Sequence, residues 1–149
     1  MSRPSSASRG WKSRRLFLVL ALLIGSASLL SLSLANKAAR AAAETHALAL
    51  VQATFTETSA SQLMLYADET LFELRPELDW PEHIGSLRRR LGALRRIESI
   101  SGVVESDSAD FSIVAEFSSG PAEISLRLLK DRRDWLVGAL HVSSGALSG

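Results

Sequence analysis

Twenty consecutive residues, Leu16 to Ala35 (LFLVLALLIGSASLLSLSLA), carry no charge. A helix of that length, rising about 1.5 Å per residue, spans roughly 30 Å, the hydrocarbon thickness of a bilayer. The run therefore reads as a transmembrane helix or uncleaved signal anchor. Arg3, Arg9, Lys12, Arg14 and Arg15 precede it without an acidic residue, and basic flanks stay on the cytoplasmic side during insertion. The expected arrangement is a basic cytoplasmic tail over 1–15, a span over 16–35, and an extracytoplasmic domain over 36–149. In a bacterium this places the chain in the inner membrane with its carboxy-terminal domain in the periplasm. Trp11, beside Lys12 and close to Arg14 and Arg15, suits a membrane-interface anchor at headgroup depth. The competing reading is a cleaved signal peptide: Ser33 and Ala35 are small residues two apart, so a cut before Asn36 is chemically reasonable. Both readings export the domain.

The formal charge of +1 conceals an asymmetry. Of seventeen basic residues five precede Leu16, which leaves twelve against sixteen acidic ones, a net of −4 from Leu16 onward. Such a balance argues against nucleic acid as a partner, because that interaction needs a basic surface to displace counterions. The lipid bilayer is the partner that the basic amino terminus fits. Cysteine is absent, which excludes disulfides, thiolate metal sites and a thiol nucleophile. The exported part must stand on one modest core.

The sequence after the apolar run divides into a mainly helical part, 36–96, and a strand-rich part, 97–149. Alanine-rich sequence from Asn36, with Leu48, Val51 and Phe55 at helical spacing, predicts a helix to about Thr58. Leu63, Tyr66, Leu71, Phe72 and Leu74 give a short helical segment that must stop near Arg75, before Pro76. Pro81 and Glu82 then mark a helix start after Asp79 or Trp80. Ile84, Leu87, Leu91 and Leu94 form its apolar stripe, with Gly85 and Gly92 flanking it as expected points of close approach to a sheet. Beyond Ile97 the period becomes two. Ala109 to Phe117 and Ala122 to Leu128 alternate apolar with polar, joined by the turn residues Ser118 to Pro121, which predicts an antiparallel hairpin. Trp135, Val137, Ala139, Leu140 and Val142 supply a last strand, and Ile97 to Ser106 a weaker first one with a bulge expected at Gly102. The fold class is α+β, an N-terminal transmembrane helix followed by helices packed on a four-stranded antiparallel meander.

The last seventy or so residues also resemble a known group. The Leu91-Gly92 pair ending a helix, the Gly102-Val103-Val104 strand, the Ser119-Gly120-Pro121 turn and the Trp135-Leu136-Val137 strand opening resemble small cystatin-like or nuclear-transport-factor-2-like (NTF2-like) exported domains on a membrane anchor, including the cytochrome oxidase assembly factor one group. That resemblance implies a helix-on-sheet domain and an assembly role, and it carries over no catalytic residue.

The titratable and aromatic residues offer few sites. His46, His83 and His141 stand apart in sequence, with no pair at metal-ligand spacing, so neither a metal nor another cofactor is expected. His141 shares the sequence parity of Trp135, Val137 and Ala139 and is expected to face the sheet's interior. With Tyr66 and Trp80 it forms the candidate ligand-binding set, and no catalytic residue is assigned. Arg88, Arg89, Arg95 and Arg96 form a candidate surface for lipid headgroups or an acidic partner. The expected function is a single-pass, non-catalytic binding or assembly protein acting on another membrane or envelope protein. The alternative is a small-ligand carrier or enzyme that uses a pocket between helices and sheet. A homodimer through the Arg-rich helix or an edge strand is a further expectation.

Overall fold

A computed structural model describes the backbone of residues 9–56 and 61–148, with side chains described for 33–56 and 63–148. Most of the run Leu16–Ala35, and Trp11, Lys12, Arg14 and Arg15, lie outside the described side chains. Among the described residues no helix is long and apolar enough to cross a membrane.

Helix α1 spans Arg9–Thr56, and the chain divides into compact units at 1–39 and 40–149. Within the second unit, the end of α1 buries Ala43, Ala47, Leu50, Val51, Thr54 and Phe55. Their spacing of three and four is one helical face. Helices α2 (Ser61–Leu65) and α3 (Glu69–Leu74) follow. The Asp68 carboxylate caps α3 by accepting from the Thr70 amide at 2.9 Å and from its hydroxyl, which holds the Asp68 carboxyl below its ordinary pKa. Helix α4 (Trp80–Leu91) starts as its sequence dictates: Asp79 accepts from the Glu82 amide at 3.1 Å and Pro81 occupies the first turn. Its stripe Trp80, Ile84, Leu87 and Leu91 is buried.

Four strands form one antiparallel sheet in chain order: β1 (Leu94–Val104), β2 (Ser108–Phe117), β3 (Gly120–Asp131) and β4 (Asp134–Ser144). The domain is thus α+β. Strands β2 and β3 pair without a register shift from Ser108↔Leu129 to Phe117↔Gly120, so Phe111, Ile113, Ile124 and Leu126 all point inward and are buried. The helices supply the opposing wall of the same core; Phe55 of α1 meets Phe117 edge to face at 5.2 Å between ring centroids.

Three sequence expectations are corrected. Helix α4 stops at Leu91, so Leu94, Arg95 and Arg96 belong to β1. The break is Gly92, whose φ of 75° and approach to Ser118, within 1.9 Å of a hypothetical Cβ, only glycine tolerates. The Ser118 hydroxyl accepts from the Ala93 amide at 3.0 Å and the Ser119 amide donates to Leu91 at 3.1 Å, tying the helix end to the β2–β3 turn. Gly85 makes no close approach to the sheet: a Cβ there would meet only the Arg89 side chain, at 3.6 Å. Gly102 is not a bulge but pairs in register with Phe111, and a Cβ there would stand 2.1 Å from the Asp110 carbonyl oxygen. The β1 irregularities fall between Leu94 and Arg96 and between Ile97 and Ser99.

Candidate functional site

The feature that positions the site is a bulge in β4. Leu128 pairs with Val137, but Arg127 pairs with Ala139, leaving Gly138 as the extra residue. A Cβ on Gly138 would lie 2.7 Å from Leu129, which explains the glycine. Parity reverses across it. Trp135 and Val137 face inward, and beyond the bulge the inward positions are Leu140 and Val142, opposite Leu126 and Ile124. His141 consequently pairs with Ser125 on the opposite face and is exposed, which corrects the expectation that it faces the interior. Across that face runs one row, Ser101↔Ser112↔Ser125↔His141, next to the bidentate pair of Arg127 with Asp110 at 2.7 and 2.8 Å. The arginine holds the Asp110 carboxyl below the usual carboxylate range. A shallow groove of about 640 Å³ lies along this row, with Thr70 and Leu74 of α3 at its end.

A second hollow, of about 220 Å³, lies where α4, the end of β4 and a closing turn at Gly145–Leu147 converge. Its apolar wall is Leu78, Trp80, Leu87, Leu140, Val142 and Leu147. The other lining residues among those described are Arg75, His83, Arg90 and His141, with no carboxylate side chain among them. Residue Trp80 is only 3 % exposed, yet its indole N–H has no acceptor among the described residues; an unpaired buried donor costs about 1–3 kcal/mol. The ring of His83 stands edge to face on Trp80, 5.7 Å away. Burial, then the positive fields of Arg75 and His141, push the His83 imidazole below its ordinary pKa. Arg75 is also paired with Glu77 at 2.5 Å, both side chains being exposed. Arg90 donates to the Ala146 carbonyl at 3.3 Å, fastening the closing turn to α4.

Of the three candidate ligand residues, Trp80 and His141 thus meet at one hollow. Tyr66 does not join them: its backbone carbonyl accepts from the Val137 amide at 2.5 Å, and its ring rests on His46 at 5.2 Å. The hollow's basic residues Arg75, His83 and Arg90 were not in the candidate set. The spacing of Trp80 and His83, three apart on a helix, carried the only local signal that they share a face.

The arginine surface is likewise redistributed. Arg88 donates to the Thr54 carbonyl at 2.5 Å, tying α4 to the end of α1, and Arg89 is exposed on α4. Arg95 and Arg96 are exposed on β1, Arg96 pairing with Glu98 at 2.8 Å. No metal-binding group of three or more His, Asp or Glu side chains occurs among the described residues. No family model matches the chain, and no curated protein or solved structure matches it.

Proposed function

We propose that the chain is a single-pass inner-membrane protein, amino terminus in the cytoplasm, that presents its α+β domain on the periplasmic side as a non-catalytic binding or assembly module for another envelope protein. The anchor half of this reading is supported by the uncharged run Leu16–Ala35 behind a wholly basic flank. The observation that carries the binding half is the one-sided sheet. Helices cover the face of Phe111, Ile113 and Ile124, whereas the Ser101–His141 row and its groove lie on the other face. Kinship with cystatin-like or NTF2-like domains, and with the assembly factor group, belongs to the same reading and is supported by the helix-then-meander order.

The experiment is expression of the full chain with a carboxy-terminal tag, followed by its mature mass, extraction behaviour and protease accessibility from the periplasm. The expected result is an intact chain that resists alkaline extraction and whose domain is digested from the periplasmic side. A photo-crosslinker at Ser112 should then join a membrane protein, and one at Glu77 should not. A soluble product starting at Asn36 would overturn the tethered reading.

A second reading, a small-ligand-binding domain, is favoured by one observation: Trp80 and His141 line the same hollow of about 220 Å³.

A further inference from the structure

We infer that two copies of this chain pair through β1, margin to margin and antiparallel about Gly102, so that one sheet runs through both. The inference rests on neither the groove, the hollow nor the membrane anchor.

The main chain supplies the first argument. Strand β1 has β2 on one side and no strand on the other. The Glu105 amide donates to the Ser108 carbonyl at 2.8 Å, which sets the phase of the β1–β2 ladder. Hydrogen-bonded and non-hydrogen-bonded pairs alternate along such a ladder. Val103, Ser101 and Ser99 therefore exchange their bonds with Asp110, Ser112 and Val114. Ile100, Gly102 and Val104 turn their N–H and C=O groups to the open margin, where they meet no other partner among the described residues. A row of this kind is a template for another strand.

The second argument is what the margin lacks. Exposed sheet edges are blunted by charges, proline or bulges. The stretch 99–104, Ser-Ile-Ser-Gly-Val-Val, holds no charge and no proline, and both irregularities of β1 precede it. Val103 is 63 % exposed. Ile100 and Val104 are only partly buried against the core, so the core as well is left open on this side.

The third argument selects a second copy, because the stretch complements itself. Centring on Gly102 sets Ile100 opposite Val104 of the second copy and Val104 opposite its Ile100, apolar against apolar on the core face. Each outward N–H and C=O of Ile100, Gly102 and Val104 then has a counterpart. On the other face Val103 stands opposite Ser101, and the Ser99 hydroxyl opposite the Glu105 carboxylate. Moving the centre to Ser101 would set Val104 against Glu98, and moving it to Val103 would set Ile100 against Ser106 in the turn. The charges beyond the stretch agree with this direction. Arg95 and Arg96 lie before it and Glu105 and Asp107 after it, while Glu98 is engaged by Arg96 of its own chain at 2.8 Å. An antiparallel pair brings the acidic end of each copy to the basic end of the other, whereas a parallel pair would set like on like.

The test uses the full chain in detergent solution. No cysteine is present, so single introduced cysteines report the geometry. Ser101 and Val103 of the second copy form a non-hydrogen-bonded pair with Cα atoms about 4.5 Å apart, within disulfide range. Ser101 and its own counterpart are diagonal neighbours at about 7–8 Å, beyond that range. Mild oxidation of a mixture should therefore join Ser101→Cys to Val103→Cys at least about tenfold faster than it joins either variant to itself. Ser143→Cys, exposed on β4, should stay unjoined. An interface this small predicts a dissociation constant of about 1–100 µM by sedimentation equilibrium. Val104→Pro removes an outward N–H and spares the β1–β2 ladder, and should raise that constant at least about tenfold. Should this variant fail to fold, the crosslinking decides alone. A chain that stays monomeric up to about 500 µM would overturn the pair. A dimer whose Ser101→Cys and Val103→Cys join no faster than Ser143→Cys would overturn the β1 margin. Faster joining of Ser101→Cys to itself would overturn the centre at Gly102. A photo-crosslinker at Val103 that captures only a different protein in cells would overturn the second copy as occupant.

Discussion

The two central strands and the two outer ones solve the same problem differently. β2 and β3 keep an unbroken register over their shared length, and their inward residues alternate without exception. β1 and β4 each depart from it, β1 at two places and β4 at Gly138. A strand held on both sides by neighbours cannot add a residue without disturbing two ladders, whereas an outer strand disturbs one. Irregularity therefore collects at the margins, and so does the site. The bulge at Gly138 turns Leu140 and Val142 inward to wall the hollow and turns His141 to the opposite face.

Deletion is the most severe way to probe this contrast. Removing Ser125 from β3 would reverse the inward set on one side of the cut, and loss of cooperative unfolding is expected, read by circular dichroism in urea. Removing Gly138 from β4 should leave Leu140 and Val142 inward, because Gly138 is the unpaired residue. Folding is expected to persist with a loss of about 0.5–3 kcal/mol. Equal damage from the two deletions would break the comparison.

Substitutions at a matched pair give the next largest difference. Ile100 of β1 faces Ile113 of β2 in register, the first half-buried and the second fully buried. Ile113→Ala should cost about 2–5 kcal/mol and Ile100→Ala roughly half as much, measured by equilibrium denaturation. Gly138→Ala should cost about 1–3 kcal/mol, since the new methyl meets Leu129. Relief of that loss by Leu129→Ala would identify the contact as its cause. On the exposed face, a double-mutant cycle on Asp110 and Arg127 should return a coupling smaller than any of these losses despite its bidentate geometry, because solvent screens the pair.

The smallest expected effect is on pH dependence at the hollow. The His83 pKa is lowered in the folded chain by burial, Arg75 and His141. The unfolded state thus binds the proton more readily, and stability present above pH 6.5, the ordinary histidine value, is lost as pH falls through the lowered one. His83→Gln should reduce the stability lost between about pH 7.5 and pH 5. An unchanged loss would assign it elsewhere.

The same contrast explains what the sequence disclosed. Alternation over Ala109–Phe117 and Ala122–Leu128 named two strands and their inward faces, and Asp79 with Pro81 marked the start of α4. The end of α4 was hidden by its neighbour. Leu91, Leu94, Ile97 and Ile100 recur every three residues, which imitates a helical stripe, yet in β1 that spacing arises from the two irregularities. His141 was placed on the wrong face by the same mechanism, since a period of two counted through Gly138 fails by one. The stripe Ile84, Leu87 and Leu91 was legible from its spacing, whereas Trp80 joins it only because it is the first residue of α4. Its companions Arg75 and His141 come from separate elements, and only the folded chain brings them together.

The short parallel bridge of Ala67 with Val137 gives the sheet a sense of direction. The Val137 amide and carbonyl are already taken by Tyr66 and Asp68, so a strand approaching β4 meets an occupied midpoint. The free margin of β1 from Ser99 to Val104 has no such plug among the described residues. The two margins of the sheet are therefore unequal toward strand addition: β1 offers an uninterrupted run, whereas a strand laid along β4 would have to part around Val137, so a second copy pairs more readily at β1.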